Sequence, residues 1–95
     1  MLSRKILYNF VEVFFMNLID VVRNRILQLA HENHITINKL AENAGLAPSS
    51  LKSILYGNSN NPTLRTIKIL CDGLGITLAE FFDTAEFNEL EQEIK

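Results

Sequence analysis

Apolar positions recur at helical spacing along most of this chain, and nowhere alternate with a period of two. Ile19, Val22, Ile26, Leu29 and Ala30 stand at i, i+3, i+7, i+10 and i+11, which predicts a first helix from Leu18 onward. After the turn at His34-Ile35, Thr36 is an N-cap candidate for a second helix with Ile37, Leu40, Ala41 and Ala44 on one stripe, stopped at Gly45. Pro48 suits the first position of a third helix that ends at Gly57. The polar run Asn58-Ser59-Asn60-Asn61-Pro62 reads as a loop, and Thr63 caps a fourth helix carrying Leu64, Ile67, Leu70, Cys71 and Leu74. Thr77 to Glu80 has capping-box spacing and opens a short fifth helix with Phe81 and Phe82. In the tail, Phe87, Leu90 and Ile94 stand at i, i+3 and i+7, so it is expected to be helical when docked. The expectation is an all-α fold of five short helices.

Ninety-five residues suffice for one small core, and 47% hydrophobic residues exclude wholesale disorder. Cys71 stands alone, which excludes an internal disulfide framework and fits a reducing, cytoplasmic compartment. The net charge of -2 argues against binding a polyanion by bulk charge. That sum conceals an asymmetry: residues 17–70 carry six cations (Arg23, Arg25, Lys39, Lys52, Arg65, Lys68) against three acids, whereas residues 71–95 carry seven acids and Lys95. The acidic end either orients the molecule beside a polyanion or is a solvated tail.

Three parts are expected: an N-terminal extension over residues 1–16, a domain over 17–83 and an acidic tail over 84–95. Polar residues interrupt the apolar run of the extension too often for a membrane span, and no small-residue cleavage site follows Arg4 and Lys5. Val11-Glu12-Val13 can be encoded as GTG-GAG-GTG, a purine-rich ribosome-binding sequence, with Phe14-Phe15 as a spacer before an ATG at Met16. Residues 1–15 are therefore expected to lie outside the natural protein. The alternative is a genuine arm that packs against an apolar groove or a second subunit.

The chemistry concentrates in the third helix. At ~100° per residue, Ser49, Lys52, Ser53 and Tyr56 share one side while Leu51, Ile54 and Leu55 share the other. Hydroxyls can bond base edges or phosphates, and a lysine can reach guanine acceptors, so such a face suits a major groove. Small amphipathic helices with polar outer faces are common, however, and the pattern alone is weak. Other constellations are poorer still. His31 and His34 stand i, i+3 apart with nothing to complete a metal site, and Cys71 lies on an apolar stripe. Ser49-Ser50 has no local base, and Gly73-x-Gly75 is a helix end rather than a phosphate loop. No enzyme activity, metal, cofactor or small-molecule ligand is expected.

In register, Thr36 stands before Leu40-Ala41, Gly45 marks the turn, Leu51 and Ile54 lie in the third helix, and Gly57 ends it. Asn61-Pro62-Thr63-Leu64, Thr66-Ile67, Gly73-Leu74-Gly75-Ile76 and Phe81-Phe82 follow. Over about residues 20–83 this run resembles the Cro and phage-repressor (Xre-like) class of helix-turn-helix regulators. The resemblance implies a five-helix lambda-repressor-like DNA-binding domain whose third helix (about 48–56) enters the major groove, with a homodimer on two half-sites of double-stranded operator DNA. It assigns base reading to Pro48, Ser49, Lys52 and Ser53. Phosphate contact falls to Thr36, Asn38, Lys39, Ser50, Tyr56, Asn58, Ser59 and Asn60. Dimer contacts are expected at Phe81, Phe87, Leu90 and Ile94. The function implied is transcriptional regulation, with repression favoured over activation; the alternative is an interaction module that keeps the fold and has lost DNA binding.

Three departures from the family pattern matter. Ile37 stands where a phosphate-touching glutamine is usual, and Ala47 replaces the usual hydroxyl cap of the third helix. Ala30 and Leu55 stand where the family often pairs an arginine with a glutamate. Because both partners are apolar together, a hydrophobic contact is expected in place of the ion pair.

Overall fold

The computed structural model describes residues 17–57 and 61–94. The expectations for residues 1–16 lie outside the described residues, as do those for Asn58, Ser59 and Asn60. Among the described residues there are six helices and no strand: α1 (Leu18–Glu32), α2 (Ile37–Asn43), α3 (Pro48–Tyr56), α4 (Leu64–Leu74), α5 (Leu78–Phe82) and α6 (Ala85–Asn88). The five helices expected from periodicity are all present, and α6 adds one turn in the tail.

Side-chain caps fix most of the starts. Thr36, Thr63 and Thr77 accept hydrogen bonds from the amides of Lys39, Thr66 and Glu80. Asn17 and Asp20 form a reciprocal capping box at α1, as Thr77 and Glu80 do at α5. The Thr77 amide donates to the Glu80 carboxylate and holds its pKa below the usual value.

α2 packs against both α3 and α4, with α1 against α2 and α5 against α4. The core between them joins Val22, Ile26, Leu40, Ala41, Leu51, Leu70, Cys71 and Phe81 to their neighbours. Ala30 and Leu55 are 3% and 5% exposed and belong to that cluster, so apolar packing does stand where the family ion pair would. Burial pushes the Cys71 thiol pKa up, as befits an inert core residue.

The tail departs from expectation. Its helix stops at Asn88, so Leu90 and Ile94 do not continue a stripe begun by Phe87. Thr84 provides no side-chain cap, and a single turn lacks the length that offsets nucleation. Glu86, Glu89 and Glu93 would also repel one another at i, i+3 and i, i+4 spacing. Phe87 nevertheless docks, its ring edge-on to Phe82 at 4.9 Å and tilted against Phe81 at 6.1 Å. The expected dimer contact at Phe81 is corrected: that side chain is 0% exposed, wholly within the core of one chain. Leu90 is half-buried and Ile94 is exposed.

Candidate nucleic-acid interface

The link between α2 and α3 is short because backbone geometry closes it. Gly45 follows α2 at φ 68°, a left-handed conformation that costs a residue without Cβ nothing. The amides of Gly45 and Leu46 then bond the carbonyls of Glu42 and Ala41 at 3.1 and 2.8 Å. Ala47 turns the chain into α3, with Pro48 at its first position and no side-chain cap. The amides of Ser50 and Leu51 both reach the Ala47 carbonyl. Pro48 has no N–H to satisfy, so the Ser49 amide is left without a protein acceptor among the described residues.

Leu51, Ile54 and Leu55 anchor α3 in the core, while Pro48, Ser49, Ser50, Lys52, Ser53 and Tyr56 are exposed. Tyr56 leaves 64% of its surface open, a large amphipathic ring at the end of the exposed face. Between α3 and the start of α4 lies an open depression of about 420 Å³, lined on its polar side by Ser49, Ser50, Ser53, Asn61, Thr63 and Thr66. The hydroxyls of Thr63 and Thr66 stand 3.0 Å apart there. Sequence reasoning assigned no role to Asn61, Thr63 or Thr66 at this surface. The one available signal was the position of Thr63 as a cap immediately after the polar loop.

The expected phosphate contacts of α2 divide. Asn38 is exposed, and the Thr36 hydroxyl accepts the Lys39 amide at 3.0 Å, which leaves its own proton to donate. The Lys39 ammonium lies 3.7 Å from Glu42, a loose exposed pair.

Most cations of residues 17–70 are engaged within the chain. Lys68 hydrogen-bonds Asp72 along α4, which raises the lysine pKa. Arg25 donates through Nε to the Phe81 carbonyl and through Nη2 to that of Glu80, both at 2.7 Å. Arg23 donates through Nε to the Ile54 carbonyl at 2.7 Å and through Nη2 to that of Gly57 at 2.6 Å. Lys52 and Arg65 hold no salt bridge among the described residues. Lys52 is therefore the cation that α3 presents outward.

Among the described residues, no group of three or more His, Cys, Asp or Glu could hold a metal ion, and no helix is long and apolar enough to cross a membrane.

Residues 25–86 match the family profile of the Cro/C1-type HTH DNA-binding domain. The chain is also similar to prophage Lp1 protein 11, whose crystal structure aligns over 80% of this chain and 100% of that one, with 33% identity and a TM-score of 0.71. No curated protein matches. With its two-helix unit, its polar α3 face and a profile match across all but the first turns of the domain, this chain belongs to the Cro/C1-type helix-turn-helix DNA-binding family.

Proposed function

We propose that this DNA-binding protein is a transcriptional repressor that holds operator DNA as a homodimer, with α3 of each subunit in a major groove. The observation that carries this reading is the division of α3: three apolar side chains seat it in the core, and Ser49, Lys52, Ser53 and Tyr56 face away. Pro48, Ser49, Lys52 and Ser53 read base edges. Thr36, Asn38, Lys39, Ser50 and Tyr56, with Asn58, Ser59 and Asn60, meet the backbone, where half or more of protein–DNA hydrogen bonds fall. Covering an operator blocks whatever else must bind there, so repression asks for no second surface.

The dimer forms on the side of the tail. An apolar depression of about 490 Å³ has Leu18, Leu64 and Phe82 in its walls and Glu93 at its edge. Leu18 and Leu64 are 47% and 65% exposed, and Ile94, beside Glu93, is 87% exposed. A second copy covering this side with Phe87, Leu90 and Ile94 would set the two recognition helices one duplex turn, ~34 Å, apart. Leu90→Asp is expected to give a monomer in sedimentation with weak operator affinity. A variant that stays dimeric excludes the tail.

Selection of bound sites from random DNA, followed by a salt titration on the selected duplex, tests the whole reading. Log K should fall linearly with log salt, by about 0.9 for each phosphate neutralised. The net charge of -2 and the internal use of Arg23 and Arg25 favour the alternative, an interaction module without DNA binding. A flat salt response decides for it.

A further inference from the structure

α3 is held at one end, and the holder is on another helix. The Arg23 side chain is 19% exposed and lies against the last turn of α3, with Asp20 at 3.7 Å on its other side. Its Nε reaches the carbonyl of Ile54, inside the helix, and its Nη2 that of Gly57, where the chain has left it. The planar guanidinium fixes these two donors relative to each other, so it fixes both the helix end and the direction in which the chain departs. It also sets a positive charge at the negative end of the helix dipole.

Gly57 is part of the same joint. Its φ of -80° is ordinary, so no left-handed strain demands glycine here. Space does: an added Cβ would lie 2.3 Å from the Ser53 carbonyl oxygen. That close approach lets the Gly57 amide bond Ser53 at 2.8 Å while its carbonyl turns to Arg23.

We propose that Arg23, with Gly57, is a positioning residue for DNA readout: it sets the tilt of α3 against the duplex and the direction of the backbone at Gly57. The proposal rests on the DNA-binding reading above. Ser49 and Ser53 carry the shortest polar side chains there are, and hydrogen bonds weaken steeply when misaligned, so a small change in tilt removes base contacts. Phosphate attraction tolerates the same change better, because charge attraction falls off gradually with distance and has no angular requirement. Loosening the joint must therefore cost specificity before it costs general affinity.

The test compares the selected duplex with a scrambled one at several salt concentrations, for wild type, Arg23→Lys and Gly57→Ala, each checked for folding by circular dichroism. Lysine keeps the charge and the apolar stem but not the fork, so the fold is retained. Gly57→Ala disturbs the same joint with Arg23 in place. Both variants are expected to lose about tenfold in the ratio of specific to non-specific affinity, the equivalent of one base contact, with an unchanged salt slope. A folded variant of either kind that discriminates as well as wild type overturns the positioning role alone. Equal losses on both duplexes, which leave the ratio where it was, make Arg23 a backbone contact instead and overturn it as well. A wild type with no sequence preference overturns the DNA-binding reading first and the proposal with it.

Discussion

At its amino end α3 begins on Ala47 and Pro48 with no side chain bonded to its first turn, whereas its carboxyl end is tied to α1 by Arg23 and closed on Gly57. The starts of α1, α2, α4 and α5 all carry the side-chain bond that α3 lacks. The two ends thus differ in what they leave open. The amino end, positive by its dipole, keeps the Ser49 amide and a fringe of hydroxyls for an outside acceptor. The carboxyl end is negative by its dipole, and there the protein supplies its own cation, Arg23, which offsets that charge beside Tyr56. In the proposed complex, the open end offers unbonded groups to the DNA, and the bridge at the closed end keeps the helix steady.

The strongest challenge to this contrast comes from Arg25, which makes the same two-carbonyl bridge to the end of α5, on Phe81 and Glu80. If the bridge at Arg23 is for readout and the one at Arg25 for docking, their losses must look different. Arg25→Met is expected to cost about 2–4 kcal/mol of stability in urea unfolding, since two carbonyls lose a charged donor. The ratio of specific to non-specific DNA affinity should not change. If that ratio falls as it does for Arg23→Lys, the two arginines are equivalent and the contrast dissolves.

Lys52→Ala probes the outward face between the two ends. Exposed and without a salt bridge among the described residues, Lys52 should leave the unfolding midpoint unchanged when removed. Binding should weaken by about 1–3 kcal/mol with one operator position relaxed if it reads a guanine, or uniformly across sequences if it meets phosphate. No change in either measurement removes α3 from the interface.

What could be read in the sequence was local. Thr36, Thr63 and Thr77 announce their helices because an N-cap acts on an amide three residues away, and Gly45 and Gly75 end theirs by adopting positive φ. The exposed and buried sides of α3 follow from its 3.6-residue period in the same way. Distant partners could not be read. Arg23 and Arg25 count as surface cations in any tally of charge, yet their acceptors are backbone carbonyls 31 to 56 residues onward, which no residue type marks. The box of Asn17 with Asp20 was missed because aspartate replaces the usual glutamate or glutamine of the pattern. The tail failed for the opposite reason: Phe87, Leu90 and Ile94 have helical spacing, but spacing cannot make up for an uncapped single turn among like charges.

The smallest effect expected is at the open end itself. Ala47→Ser would supply the missing cap, and N-cap exchanges of this kind usually stabilise by about 0.5–2 kcal/mol. Here the gain should sit near the bottom of that range, about 0.5 kcal/mol, because Pro48 has no amide and Ser50 and Leu51 already bond the Ala47 carbonyl. Only the Ser49 amide is left to satisfy. The urea midpoint should therefore rise slightly without DNA, and one that stays put or falls shows that the start of α3 was not short of an acceptor. Binding supplies the sharper half of the test. If the Ser49 amide donates to phosphate, the new hydroxyl competes for it, and affinity for the selected and scrambled duplexes should drop by the same small factor. A variant that is more stable and binds both duplexes more tightly would mean that a hydroxyl, not an open amide, is what this end offers to DNA, and the contrast between the two ends would then rest on Arg23 alone.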